Sequence, residues 1–210
     1  MNNAKLFIIS APSGCGKGTL IAELNKEFDI FNSISCTTRD PRENEIDGVH
    51  YNFITLEAFN KLAEEDGFLE HARFNEKCYG TPRKPIEDNI SAGRDVLLEI
   101  EPQGAFQVKK KRPDSISVFI LPPSVSELER RLRKRATESE EQILKRVATA
   151  RGDIERAYEY DYVIMNDALE DALEDLKKIF TYAKNGSSEL LEAYRADNRK
   201  NMIDEVLKNA

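Results

Sequence analysis

The sequence predicts an α/β fold: a parallel sheet flanked by helices, carrying one small mixed α/β insertion and one helical insertion. Three observations carry this. Short apolar runs, LFII at 6–9, VLLEI at 96–100, ISVFIL at 116–121 and YVIM at 162–165, alternate with helix-like stretches, the rhythm of parallel strands joined by crossovers. The first run leads directly into SAPSGCGKGT at 10–19, a glycine-rich turn with a lysine at the head of a helical pattern. Two segments, 33–85 and 124–153, break the rhythm with a different composition.

Taken in order, the strand at 5–10 is followed by a helix at 18–25 with Leu20, Ile21 and Leu24 on one face. The segment 33–85 is rich in Thr, Arg, Asn, Tyr and Gly, with strand-like SISCTTR and HYNFI. The segment 124–153 carries Arg130, Arg131, Arg133, Arg135, Arg146 and Arg151 among apolar Leu128, Leu132, Ile143 and Val147. An amphipathic helix follows at 167–184, with Leu169, Ala172, Leu173, Leu176, Ile179 and Phe180 on one face and Asp167 and Glu170 at capping spacing. Residues 187–210 read as a more polar helix. The expected division is a core of 1–32, 86–123 and 154–185, insertions at 33–85 and 124–153, and a tail at 186–210.

Composition narrows the function classes. A chain of 210 residues, 40% hydrophobic and 33% charged, suits a globular protein with one well-cored domain and insertions, or two small domains. Its net charge of −7 opposes a general nucleic-acid binder, so any bound anion must rely on local basic clusters. No stretch approaches the roughly 20 apolar residues of a membrane span, and MNNAK is too polar for a signal peptide. The expectation is a cytoplasmic protein with no membrane or nucleic-acid partner. Cys15, Cys36 and Cys78 are odd in number and lack metal-ligand spacing, which favours reduced thiols.

The loop at 10–19 departs from G-x-x-x-x-G-K-[ST] at two positions, Ala11 and Gly18. A phosphate needs small residues where backbone N–H groups wrap it, then a lysine, then a helix N-terminus. Gly14, Gly16, Lys17 and Gly18 meet that need. Ala11 matters only if its position requires a positive φ. Gly18 removes a hydroxyl that could bind Mg²⁺, and Thr19 is displaced from it by one residue. The ending GKGT resembles that of nucleoside monophosphate kinases, in which phosphates and waters largely hold the metal. The expected donor site is Ala11, Pro12, Ser13, Gly14, Cys15, Gly16, Lys17, Gly18 and Thr19. Cys15, beside the phosphates, is expected to make the protein sensitive to a bulky thiol reagent unless nucleotide is bound.

A second site begins in SISCTTRDPRENEIDGVHY at 33–51, where Arg39 and Arg42 flank Asp40–Pro41. Arginine forks suit bidentate phosphate binding, and the Ser35 and Tyr51 hydroxyls could complete the shell. GFLEHARFNEKCYGT at 67–81 adds Glu70, Tyr79 and Thr81. With these motifs the chain resembles a guanylate kinase. PQGA at 102–105, ILPPS at 120–124, KR at 145–146 and YVIMND at 162–167 follow in family order and spacing, so the resemblance covers about 5–185.

The resemblance implies a P-loop NTPase-type core, a GMP-binding insertion at 33–85 and a mobile helical lid at 124–153. It implies GMP-phosphate contacts from Ser35, Arg39, Arg42, Tyr51 and Tyr79, with Glu45 bracing the arginine pair. Arg135 and Arg146 match the family's lid arginines, Arg131 is a further candidate, and Asn166 and Asp167 match its adenine side. Glu99 and Glu101 fall where the family usually carries aspartates; either could contact water on Mg²⁺ or the guanine amino group.

Base recognition follows from chemistry. Guanine presents N1–H and N2–H donors beside an O6 acceptor, so Glu70 can accept both donors and the Thr81 hydroxyl can donate to O6. Sites of this kind reject an unsuitable partner by roughly 10⁴–10⁵. The transfer asks for positioning and charge neutralisation: Lys17 on the β- and γ-phosphates, Arg42 on the acceptor phosphate, Arg135 and Arg146 over the transferring group. Water must be excluded, so both insertions are expected to close around the nucleotides. The expected function is ATP- and Mg²⁺-dependent phosphorylation of GMP, and of dGMP, by a monomer or homodimer. The rivals are a kinase for another monophosphate, opposed by Glu70 with Thr81, and a guanylate-kinase-like binding module without catalysis, opposed by intact Gly14, Gly16, Lys17 and lid arginines.

Overall fold

The computed structural model describes residues 3–74, 76–134 and 139–208. In chain order its elements are β1 (Leu6–Ser10), α1 (Lys17–Leu24), β2 (Ile30–Asn32), β3 (Cys36–Thr37), β4 (Asn52–Phe53), α2 (Leu56–Glu64), β5 (Phe68–Phe74), β6 (Lys77–Pro82) and α3 (Arg83–Ser91). They continue as β7 (Asp95–Glu99), α4 (Pro102–Lys111), β8 (Ile116–Leu121), α5 (Val125–Lys134), α6 (Glu140–Glu155), β9 (Tyr162–Met165), α7 (Leu169–Asn185), α8 (Ser188–Leu191) and α9 (Lys200–Lys208). One sheet has the order β2-β7-β1-β8-β9, the other β4-β3-β6-β5. The chain divides into two compact units, Met1–Ile8 with Ile30–Ser115 and Ile9–Asp29 with Ile116–Ala210, the boundary passing through β1. Among the described residues no helix is long and apolar enough to cross a membrane.

In the first unit β2 runs parallel to β7, with Ile30 beside Asp95 and Asn32 beside Leu97. The apolar run in β7 is buried up to the exposed Glu99, as expected of a strand covered on both faces. The smaller sheet is built on the β5–β6 hairpin, an antiparallel pair that sets Glu70 opposite Thr81 after a register shift between Phe68 and Glu70. Its core joins Cys36, Phe59, Phe68 and Cys78, with Phe59 stacked on Phe68 at 4.7 Å between ring centroids. Thr55 caps α2 by accepting the Ala58 N–H at 3.2 Å.

In the second unit β8 runs parallel to β9, from Val118 beside Tyr162 to Leu121 beside Met165. Ser139 and Gln142 form a reciprocal capping box at the start of α6. Helix α7 is amphipathic as expected, burying Ala172, Leu176, Ile179 and Phe180. Its N-cap, however, is Ala168 without a side-chain hydrogen bond, so Asp167 and Glu170 do not form the expected cap. The tail, which reads as a more polar helix, is helical but broken. After Gly186 in the left-handed region it breaks into α8, two 3-10 turns and α9. Leu191, Tyr194, Ile203 and Val206 are buried there, and the Tyr194 hydroxyl donates to Asp175 at 2.9 Å.

Candidate active site

The phosphate loop lies wholly in the second unit. Ala11 does not have a positive φ and is buried, so the first departure from the usual pattern causes no strain. Gly14 and Gly16 do have positive φ, 95° and 85°, and Gly16 forms the N-cap of α1. An added Cβ at Gly16 would also meet Asn166 Nδ2 at 2.7 Å. At Gly18 no atom lies within 4 Å of such a Cβ, so crowding does not exclude a hydroxyl there. Cys15 N–H donates to the Pro12 carbonyl at 3.1 Å, closing the turn.

Asn166 holds this loop by its backbone. Its side-chain amide, buried at the end of β9, donates to the Cys15 carbonyl at 2.6 Å. The resemblance assigns Asn166 to the adenine side; the geometry adds a contact that holds the loop backbone. A contact across 151 positions has no local signature, so only the resemblance pointed to the residue. Cys15 itself faces inward, fully buried, its thiol donating to the Ile120 carbonyl at 3.5 Å. Burial pushes this thiol up to about 12, outweighing the opposite pull of Arg131 and Lys17.

Two of the three expected lid arginines are described. Arg146 on α6 reaches the loop, its Nη1 donating to the Ser13 hydroxyl at 3.0 Å. Arg131 on α5 donates to Glu127 at 2.9 Å and to the carbonyls of Asn166 and Asp167 at 3.1 and 3.4 Å. It thus ties α5 to the end of β9, while Asp167 keeps an exposed side chain. Arg135 lies outside the described residues.

The first unit gathers the second set. Arg39 donates through Nη1 and Nη2 to both Glu45 oxygens at 2.6 and 2.7 Å, and Glu45 also accepts the Arg42 backbone N–H at 2.8 Å. The Arg39 hydrogen bonds, then the Arg42 N–H, hold the Glu45 carboxyl down at about 2. Glu45 therefore braces one arginine by its side chain and the other by its backbone. The Arg39 guanidinium lies 5.3 Å from the Tyr51 ring centre, and Tyr51 meets Tyr79 edge-on at 6.1 Å. Arg42 is exposed.

Glu70 and Thr81 form the other half. Both are buried, and the Thr81 hydroxyl donates to Glu70 Oε1 at 2.5 Å. Burial raises the Glu70 carboxyl above its ordinary range, opposed by the Thr81 hydrogen bond and reinforced by the charge of Glu101. Ser35 Oγ is 3.5 Å from Thr81 Oγ1, which places it with this pair. Helix α4 approaches Glu70 through Gly104, a residue of the PQGA motif to which the sequence alone gave no role. Glu99 and Glu101 are exposed; the Glu99 charge acts on Tyr51. Among the described residues no three His, Cys, Asp or Glu side chains gather as a metal site.

The guanylate kinase family model matches residues 3–183. A guanylate kinase of Thermus thermophilus is 45% identical over 97% of this chain and 95% of its own length. One from Synechococcus is 50% identical over 83% of this chain and 93% of its own. Among solved structures, a guanylate kinase from Anaplasma phagocytophilum matches with a TM-score of 0.71 at 32% identity, covering 92% of this chain and 96% of that one.

Proposed function

The chain belongs to the guanylate kinase family, and from that premise we infer that it transfers a phosphoryl group from ATP to GMP, giving ADP and GDP. In this reaction an oxygen of the GMP phosphate bonds to the γ-phosphorus while the bond from that phosphorus to the β–γ bridging oxygen breaks. No general base is needed, because the attacking oxygen is already ionised near neutral pH. The protein's part is positioning and charge neutralisation.

The observation that carries the reading is the buried Glu70 carboxylate with Thr81 beside it. Glu70 accepts guanine N1–H and N2–H. With adenine it would face the N1 lone pair and leave a buried charge unmatched, which disfavours an AMP kinase. The donor to O6 is the Thr81 hydroxyl, which lies against Glu70 with the Ser35 hydroxyl 3.5 Å away. Arg39, Arg42, Tyr51 and Tyr79 hold the GMP phosphate, Arg42 as the exposed fork and Arg39 as the braced one. Segment 33–85 is then the acceptor-binding part and 124–153 the part that covers the donor.

On the donor side Lys17 and the loop N–H groups bind the ATP phosphates, with Arg146 at the loop's edge and Asn166 fixing the loop's shape. With no hydroxyl at Gly18, Mg²⁺ would be held by the nucleotide's phosphates and water, with the exposed Glu99 or Glu101 available through water. Bound there, Mg²⁺ would neutralise phosphate charge. The intact loop and arginines support an enzyme over a binding module. The test is acceptor dependence: ADP should form from ATP and Mg²⁺ with GMP and not with AMP, UMP or dTMP. Comparable turnover with AMP would overturn the reading.

A further inference from the structure

We propose that Gly104 is a positioning residue for guanine recognition: the side chain it lacks leaves the space that the Glu70 carboxylate occupies. This rests on the assignment of Glu70 to the guanine edge.

A Cβ at Gly104 would lie 2.8 Å from Glu70 Oε2, 3.0 Å from Cδ and 3.3 Å from Cγ, and the first of these is closer than real Cβ atoms come. Something must therefore yield. Helix α4 is held against β5, the edge strand of its sheet. The Gln107 amide accepts the His71 N–H at 3.2 Å and donates to the His71 carbonyl at 3.0 Å. Lys111 donates to the Phe68 carbonyl at 3.1 Å. These contacts occupy the His71 backbone and the Phe68 carbonyl on the strand's open edge and bracket Glu70 on both sides in sequence. On its other edge β5 is paired with β6, with Glu70 opposite Thr81. Helix and strand are both pinned, so the flexible end of the Glu70 side chain is what moves.

That displacement is cheap for the fold and expensive for recognition. Alanine is the better helix former, so local propensity gives no reason for glycine inside α4. A carboxylate that must accept two donors in one plane tolerates little movement, and a shift near 1 Å can weaken a positioned contact by roughly 10²-fold.

The experiment compares wild type, Glu70→Gln, Glu70→Asp, Gly104→Ala and the double variant Glu70→Asp/Gly104→Ala. It measures kcat, KM for GMP, KM for ATP and Tm. Gly104→Ala should raise KM for GMP by about 10-fold to 100-fold, with kcat, KM for ATP and Tm close to wild type. Aspartate withdraws the carboxylate by one methylene and so relieves the closest contact, that of Oε2 with the methyl group. In the Glu70→Asp background, adding Gly104→Ala should therefore cost less than about twofold. Unchanged KM for GMP in Gly104→Ala, or an undiminished penalty in the Glu70→Asp background, would overturn the proposal. So would parallel loss of ATP affinity and cooperative unfolding, which would make Gly104 merely structural. Full GMP turnover by Glu70→Gln would instead remove the guanine assignment itself, whatever Gly104→Ala does.

Discussion

Thr81 donates its hydroxyl hydrogen to Glu70 at 2.5 Å, and the two residues face each other across the β5–β6 hairpin in a buried setting. The carboxylate is thus oriented before any nucleotide arrives, and burial leaves it poorly solvated. Such a group favours function over stability.

The first prediction concerns that trade-off. Burial raises the Glu70 carboxyl above its ordinary value of 4.5, so the folded chain holds this proton more tightly than the unfolded one. Its contribution to stability is fully present below 4.5 and lost as pH rises through the raised value. Glu70→Gln should therefore be at least as stable as wild type near neutral pH, its margin shrinking as pH falls toward 4.5. Thermal unfolding across that range checks this. A variant destabilised most at neutral pH would contradict it.

Glu45 behaves oppositely. Held at about 2 by Arg39 and the Arg42 N–H, its contribution is present above the ordinary 4.5 and lost only as pH falls through about 2. Glu45→Gln keeps one acceptor but loses the charge and the paired contact, and KM for GMP should rise about tenfold. KM for ATP should not change. Titration of the GMP phosphate cancels in the ratio of variant to wild-type KM, so this ratio should be flat between about pH 5.5 and 8. A ratio that falls to one near the acid end would show that Glu45 titrates there.

Asn166→Ala leaves the Cys15 carbonyl without the amide it accepts from, a loss of about 1–3 kcal/mol for a buried group. If Asn166 is a strut of the loop, KM should rise in parallel for ATP and GTP as donors, with KM for GMP unaffected. A change in the ATP-to-GTP preference would return Asn166 to the adenine edge.

Cys15 should resist thiol reagents, the reverse of what its place in the loop suggests from sequence. It is fully buried, its pKa is pushed up to about 12, and nucleophilic attack requires the thiolate. A bulky maleimide near neutral pH should leave Cys15 unmodified in the folded protein and modify it in denaturant, as read by peptide mass. Rapid labelling that ATP prevents would contradict this.

Much of the site was legible because its chemistry depends on residue type at short spacing. The glycines around Lys17, the Arg39–Arg42 pair and the Glu70–Thr81 interval each lie within one motif. What stayed hidden depends on long-range geometry. The Asn166 amide meets Cys15 across 151 positions, and Gly104 matters through the space against Glu70. The Ser35 hydroxyl, which the resemblance places among the phosphate contacts, lies 3.5 Å from that of Thr81, a juxtaposition across 46 positions that no short motif shows. The tail read as polar because its buried Leu191, Tyr194, Ile203 and Val206 are spread over separate short elements. No single helical period collects them.

The most direct measurement is GMP-dependent ADP formation by Glu70→Gln beside wild type. Glutamine keeps the shape of the side chain but presents one acceptor and one NH₂ group where guanine offers two donors. The account predicts that kcat/KM for GMP falls by about 10²-fold or more while KM for ATP is preserved. Wild-type kcat/KM for GMP in the folded variant would contradict it and leave the buried pair without a role in reading the base.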